Sequence, residues 1–537
     1  MKRLSTYFYL LSLIGCLTLS TACSDSKEEE KRETENENEN NGTSTEEKSD
    51  DEEVNKLSFA ILSDYYLWND EYKAQKLNYD LDYQSFFYNG LLSLKTNTLD
   101  KKPYTVTDEQ GNVQTKYNLF SYITEVPDYA TTRASDPYAK EKTMSYGLVG
   151  LLPYRYYNES DPNTKDYYVR FIVNGVYADS PAANAGLARG TLIEKFDGKY
   201  IRMSNWTDSY IALMGATTVE THTLQILTRQ QDNTIGAPQT VTLSCNAIHL
   251  NPILKAQVEE VEGHKVGYLA YSSFEGSYDE ELLDELKKFK SEGISDLVLD
   301  LRYNGGGHVA SANLLSTAIA GEASKGKTFV EYRFNDSRMK KLGNKRESKA
   351  FGESLSKETL KNSLSQAMLN LNRLYMLVGE HTASASELVI NSLKGIDIEV
   401  YLIGQTTTGK NVGMEVFRVG KGEKQGSDLQ KTYEIAPITF QSYNAKGFGD
   451  YEKGFQPDLA VDELNPFNEK DIIRIYRPYG SQQEYLYGLA LEQITGKTIL
   501  ERPTAQTRGL VSPLGEVIET LPAPKLGTRG MIIYPEE

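Results

Sequence analysis

The chain has 537 residues with 39% hydrophobic composition, enough for two to four domains with packed cores. Its net charge of −17 comes with no basic cluster, which argues against a phosphate-backbone partner, so no nucleic acid is expected. Of the three cysteines, Cys16 and Cys23 lie near the N-terminus, leaving Cys245 alone in the body with no internal disulfide to make; it reads as a small core hydrophobe.

Residues 1–22 have the parts of a secretory signal: basic Lys2 and Arg3, an apolar run from Tyr7 to Leu19, then small Ser20, Thr21 and Ala22. Cys23 follows at once. The arrangement resembles a bacterial lipoprotein signal, which implies lipidation of Cys23; Ser20 stands where the pattern usually has Leu. The alternative is an ordinary cleaved signal with a chance cysteine. No later segment offers the ~18 uninterrupted apolar residues of a membrane span, so lipid at Cys23 would be the only membrane attachment. Residues 23–53 read as a disordered acidic tether, with 14 acidic and 4 basic residues between Ser24 and Glu53 and almost nothing apolar to bury. Its start, Ser24–Glu29, resembles the acidic export tag of some Bacteroidetes surface lipoproteins, or is a solvated spacer. A cell-envelope location follows, on an outer membrane, with surface or periplasmic face undecided.

Residues 54–142 read as a helical N-terminal region and linker. Leu57, Ile61, Tyr65 and Trp68 recur at helical spacing, helix is expected as far as about Val126, and no catalytic group stands out. Pro127–Lys142 reads as the linker. Residues 143–253 carry Tyr146-Gly147-Leu148-Val149-Gly150, then Ser180-Pro181-Ala182-Ala183-Asn184-Ala185-Gly186-Leu187, then an Asp197-Gly198 turn. Together these resemble a bacterial PDZ domain. Gly147 and Gly150 would turn backbone N–H groups toward a terminal carboxylate, and the adjoining edge strand would accept the peptide. A polar insertion over Pro153–Tyr168 departs from the pattern.

An α/β pattern occupies residues 254–464. Lys265–Tyr271 and Asp296–Leu301 read as strands, and Asp279–Glu292 as a helix burying Leu282, Leu283, Leu286 and Phe289. Asp300-Leu301-Arg302-Tyr303-Asn304-Gly305-Gly306-Gly307 leaves a strand and enters a helix, a setting in which backbone N–H groups can face an anion. No Lys-Ser/Thr follows, so it is not a P-loop. Tyr375–Gly379 is a strand, Ser384 to about Lys394 a helix, Glu399–Gly404 a strand, and Lys410 sits in the turn beyond. Residues 465–537 read as a C-terminal extension of mixed helix and loop, with a helix over Gln482–Thr495 and no functional reading.

In this order, Asp300–Gly307, Ser384-Ala385-Ser386-Glu387, Gly409-Lys410 and Gly454-Phe455-Gln456-Pro457-Asp458 resemble the C-terminal-processing (tail-specific) serine peptidases. The resemblance implies an α/β multidomain fold: a helical N-terminal part, a β-rich PDZ domain and an α/β (ClpP/crotonase-like) peptidase core. It implies Ser384 as nucleophile rather than Ser386, Lys410 as general base, and Ala385 with Gly306 or Gly307 as oxyanion-hole donors. Glu387 would orient the lysine or its neighbours. Gly305, Gln405-Thr406 and a Ser–Lys separation one residue longer than the pattern are departures, none of which removes a reacting group. It further implies polypeptide substrates with exposed C-terminal tails, no cofactor and no metal.

The chemistry is coherent. A serine hydroxyl needs a base near neutral pH, and a desolvated lysine supplies one. The apolar strand before Lys410 would bury it, and hydroxyls of Thr406, Thr407 and Thr408 would hold the neutral amine. The rival is a Ser–His–acid triad using His308 or His381. His308 reads as lying near an entrance and His381 as a turn residue satisfied by backbone. A reading of another class is a non-catalytic, lipid-anchored peptide-binding protein on a dead peptidase fold.

Overall fold

The computed structural model describes residues 50–107, 113–126, 140, 142–156, 167–229, 235–353, 358–464, 476–501, 517–520 and 531–533. The signal segment, Cys23, the tract to residue 49 and most of the linker lie outside these residues. The first helix, Asp51–Tyr65, starts inside the stretch expected to be tether, with Asp51, Glu52 and Glu53 filling its first turn. Acidic side chains favour a helix N-terminus, so the end of an acidic tract makes a good helix start. Helices Asn69–Lys73 and Tyr83–Leu92 follow.

Beyond Lys101 the expectation of helix fails. Lys101–Thr107 and Val113–Leu119 form an antiparallel hairpin, and Tyr122–Val126 pairs with Thr432–Ala436. The helical spacing of Leu57 to Trp68 does not extend this far, and Tyr104-Thr105-Val106-Thr107 is a run of strand formers. The N-terminal helices bury Val54, Leu62, Tyr66 and Phe87 against Val412, Met414 and Ile438. This region is therefore built onto the core.

Thr143–Ser145 and Asn246–Ile248 pair antiparallel, so the segment between them leaves and returns at one point. It holds most of a seven-stranded sheet over a core of Phe171, Ile193, Trp206, Leu224 and Cys245, all buried. The polar insertion starts later than expected. Pro153 to Tyr156 belong to the strand Leu148–Tyr156, because Tyr154 and Tyr156 pack with Tyr168 and Tyr476.

The next sheet places Ile253–Val261, His264–Tyr271, Asp296–Asp300, Arg373–Val378, Glu399–Gly404 and Leu459–Ala460 side by side. The first pair is antiparallel and the rest parallel. Side chains alternate across the strands, so Leu299, Met376 and Leu402 face helices Asp279–Glu292, Val309–Ala320 and Ala385–Gly395. Val298, Leu377 and Ile403 face the opposite way, onto Leu486, Tyr487 and Leu491 of helix Tyr485–Thr495. The supposed extension thus covers one face of the central sheet. Its last described strand, Met531–Ile533, lies between Gly307–His308 and Val412–Glu415 in a further six-stranded sheet.

Candidate active site

Asp296–Asp300, Arg373–Val378 and Glu399–Gly404 are adjacent and parallel, so the turns leaving them meet at one edge of the sheet. Such carboxyl ends are where open α/β sheets place their sites. The turns are stitched together by direct bonds. Asn304 O accepts from Ala383 N at 3.1 Å and Ser386 Oγ at 3.0 Å; Thr382 Oγ1 donates to Leu301 O at 2.8 Å; Thr408 N donates to Thr382 O at 2.9 Å. Residues as much as 82 positions apart are thereby held at hydrogen-bond range.

Ser384 stands at the sharp strand-to-helix turn with φ 62° and ψ −111°, a conformation costing a non-glycine residue about 1–3 kcal/mol. Glu387 offsets that strain by accepting from Ser384 N at 2.9 Å. The Ser384 side chain is fully buried, and its Oγ has no hydrogen-bond partner. Ser386, by contrast, has committed its hydroxyl to Asn304 O.

Lys410 is 1% exposed and its Nζ likewise has no hydrogen-bond partner. Burial pushes its pKa down to about 7, with the Asp100 and Glu387 carboxylates pulling upward. The anticipated threonine support is not made. Thr406 Oγ1 donates to Gln456 Oε1 at 3.0 Å, Thr407 Oγ1 to Glu387 Oε1 at 2.6 Å, and Thr408 Oγ1 to Glu380 O at 2.6 Å. Short hydroxyls satisfy the nearest carbonyl or carboxylate oxygen and do not reach the amine. Glu387 is the hinge of the arrangement: it also accepts from Gly409 N at 2.6 Å and Lys410 N at 2.8 Å. Burial pushes its carboxyl up, against four hydrogen bonds that favour the carboxylate.

A buried amine with a depressed pKa weakens the fold wherever the unfolded chain would hold the proton instead. Between its ordinary 10.5 and about 7, unfolded Lys410 is charged and folded Lys410 neutral, so native stability rises with pH across that window. Lys410→Met is expected to raise the unfolding midpoint. The gain should widen as pH falls from about 10 to 7, by roughly 1.4 kcal/mol per unit, and then level off. Thermal melts of both proteins across this range check it.

Gly306 (φ 112°) and Gly307 (φ 139°) lie against this turn. A Cβ on Gly306 would sit 2.9 Å from Ser384 Cβ and 3.0 Å from Ala385 N, and one on Gly307 2.2 Å from Phe274 O. Gly306 N already donates to Asn304 Oδ1 at 2.9 Å, so it serves an oxyanion only by releasing that bond. Ala385, first residue of its helix, has no intrahelical acceptor for its N–H. Neither Lys410 Nζ nor either histidine bonds Ser384 Oγ in this structure. His308 is buried, not at an entrance, and its Nδ1 accepts from Gly276 N at 3.0 Å. His381 is half-exposed beside Glu380.

The same turn anchors a buried ion network. Arg302 donates to Asp300 Oδ1 at 2.9 Å, Glu463 Oε1 at 2.8 Å and Glu484 Oε1 at 2.7 Å. Arg189, from the segment between Ser145 and Asn246, pairs with Glu463 and Glu484 and donates to Asn174 O at 2.8 Å. Burial opposes ionisation of Asp300 and Glu463, but Arg302 holds both carboxyls below their usual range. No motif marked Arg189, Glu463 or Glu484; only the folded chain brings them to Arg302.

In the loop Tyr146–Gly150, Tyr146 and Leu148 are buried and Gly147 has φ 84° beneath Ser180, where a Cβ would lie 2.0 Å from Ser180 Cβ. Gly147 N donates to Ser145 Oγ at 2.9 Å, so it is not turned out toward a ligand. Val149 and Gly150 are half-buried, and Gly150 lies at an irregularity in the strand. The outer edge of Leu148–Tyr156 is partly taken. Val517–Thr520 pairs antiparallel with Tyr154 to Tyr156, and upstream no strand joins that edge among the described residues.

A strained serine, a buried amine and a carboxylate tying their two turns thus stand at the carboxyl ends of adjacent parallel strands. The sequence profile of peptidase family S41 matches residues 265–461. A "Probable CtpA-like serine protease" of Staphylococcus aureus is 27% identical over 295 residues, which is 55% of this chain and 50% of that protein. A "Carboxyl-terminal-processing protease" of Synechocystis is 25% identical over 321 residues, covering 59% and 64%. The chain thus spans about half to two thirds of the length of these curated relatives. A solved Bacteroides fragilis structure assigned to the S41 proteases shares the fold, with a TM-score of 0.60 and 24% identity over 82% of this chain and 97% of that one.

Proposed function

We propose that the protein is a serine endopeptidase that cleaves unfolded or C-terminal tails of polypeptides through a Ser384–Lys410 dyad. The observation that carries this is the pair of buried, unpartnered groups, Ser384 Oγ and Lys410 Nζ, on turns that Glu387 ties together. Leaving such groups unpaired costs the fold stability, and a reaction that pairs them through substrate gives the cost a purpose. Neutral Lys410 accepts the Ser384 proton as Oγ attacks the peptide carbonyl. The resulting ammonium returns a proton to the departing amine. Water then enters, gives a proton to the same lysine and attacks the ester carbonyl, and the ammonium returns that proton to Ser384 Oγ as the acyl group leaves as a carboxylic acid. Ala385 N–H, with a glycine of the 306–307 pair, would hold the oxyanion, each donor worth about 3–4 kcal/mol.

The PDZ-like segment would hold the tail along Leu148–Pro153, the stretch of its edge upstream of Val517–Thr520. Lipid at Cys23 would anchor the enzyme to the cell envelope. Cys23→Ala is expected to move the protein from the membrane to the soluble fraction on cell fractionation, and continued retention would refute the anchor. The competing reading, a binding protein without catalysis, keeps every contact described but needs neither Ser384 nor Lys410. The purified protein incubated with an unfolded, tail-bearing polypeptide, beside Ser384→Ala and Lys410→Ala, separates them. Cleavage by wild type alone supports the peptidase; binding without cleavage by all three supports the rival.

A further inference from the structure

The N-terminal segment, which showed no catalytic group in sequence, reaches the lysine. The Phe120 ring lies over Lys410 Nζ at 4.5 Å from its centroid. Phe120 is held from below by Asp100: its N–H donates to Asp100 Oδ1 at 2.9 Å and to Asp100 O at 3.0 Å. Asp100 is fully buried and accepts three further bonds, from Ser121 N at 2.8 Å, Ser121 Oγ at 2.7 Å and Tyr66 OH at 2.8 Å. Every one of these partners donates, which favours the carboxylate against the burial that pushes its pKa up. Lys102, from the same hairpin, donates to Thr408 O, just before Lys410, at 3.0 Å and to Glu452 O at 3.2 Å.

We propose that Asp100 and Phe120 are positioning residues for the Lys410 amine: the ring covers and holds the ammonium, and the carboxylate fixes the ring and favours the charged amine. A cation over an aromatic face is attracted by the ring quadrupole, more strongly when water is excluded. The charged groups around Lys410 support this division of labour. Asp100 and Glu387 both act to raise its pKa against burial. Glu387, however, spends its oxygens on Ser384 N, Thr407 Oγ1, Gly409 N and Lys410 N. Lys102 Nζ is the other cation at the Phe120 ring, 5.8 Å from the centroid. The chain thereby couples its N-terminal segment to the base, and loss of that segment's docking would free the amine from its cover.

As a role in catalysis this rests on the dyad reading, so its test includes a readout that does not need turnover. The ionisation of Lys410 is read from the pH at which the stability difference between Lys410 and Lys410→Met proteins levels off. That pair is measured in wild-type, Phe120→Leu, Phe120→Tyr and Asp100→Asn backgrounds. Phe120→Leu, a half-buried apolar exchange, should move the levelling point down by about half a unit to one unit. Phe120→Tyr should leave it in place, and Asp100→Asn should move it down further wherever that protein folds. An unmoved or raised levelling point in Phe120→Leu overturns the proposal whatever the activity. The pH profile of kcat/KM should follow the same order. If instead Lys410→Ala cleaves as well as wild type while the levelling point still moves, the dyad is wrong and the positioning of Lys410 stands.

Discussion

Ser384→Ala and Lys410→Ala are each expected to lower kcat/KM on an unfolded polypeptide by about 10⁴-fold or more, and the double variant by little more than either. The serine is expected to be this sensitive because its hydroxyl is buried with no other partner, while Ser386 has committed its own to Asn304 O. The lysine is expected to match it because it is the buried amine whose turn Glu387 ties to that of the serine, although neither Lys410 Nζ nor either histidine bonds Ser384 Oγ in this structure. Both variants should fold, since each removes an unsatisfied buried group. Wild-type activity should rise through one ionisation near pH 7, as Lys410 loses its proton. The measurement is kcat/KM for the three proteins, with melting curves to show that folding survives. Residual cleavage within tenfold of wild type in either single variant would remove that residue from the mechanism.

Arg302→Met is expected to cost about 3–5 kcal/mol of stability, because it leaves Asp300, Glu463 and Glu484 buried with Arg189 as their remaining guanidinium. The exposed pair Lys325–Glu322 is the control: Lys325→Ala should change stability by less than about 1 kcal/mol. The pH dependence has a definite sign. Asp300 and Glu463 have depressed pKa values when folded, so their pairing stabilises the protein above the ordinary carboxylate range and is lost as pH falls through the depressed values. The gap between wild type and Arg302→Met should therefore be widest near neutral pH and narrow below about pH 4. Denaturant melts at several pH values check this. A gap that grows on acidification would mean that Arg302 does not hold these carboxylates charged.

Local patterns were legible where one face of one element decided the outcome. The helix Asp279–Glu292 shows its Leu282, Leu286 and Phe289 face at 3.6-residue spacing and stops at Gly293, which takes the left-handed conformation a C-cap needs. Glycines 306 and 307 stand where a side chain would strike Ser384 or Phe274 O, a constraint that leaves glycine as its trace in the sequence. The strands at 101–126 were not legible, because Tyr122–Val126 finds its partner more than 300 residues later, at Thr432–Ala436. Distance along the chain likewise hides the roles of Glu484 and Met531, one under Arg302 and the other between Gly307 and Gly413.

By itself the sequence determined which residue types occupy the turns after three strands: glycines after Asp300, Ser384 with Glu387 three residues on, and Lys410 after Gly409. Turn chemistry and helix starts depend on neighbours within about one helical turn, so they are written locally. Tertiary structure alone decided that those strands lie side by side, that Glu387 grips the backbone of Lys410 rather than its amine, and that Phe120 covers that amine. The surroundings of a buried charge are assembled from segments hundreds of residues apart, and Coulomb and desolvation effects follow distance in space, which no local pattern encodes.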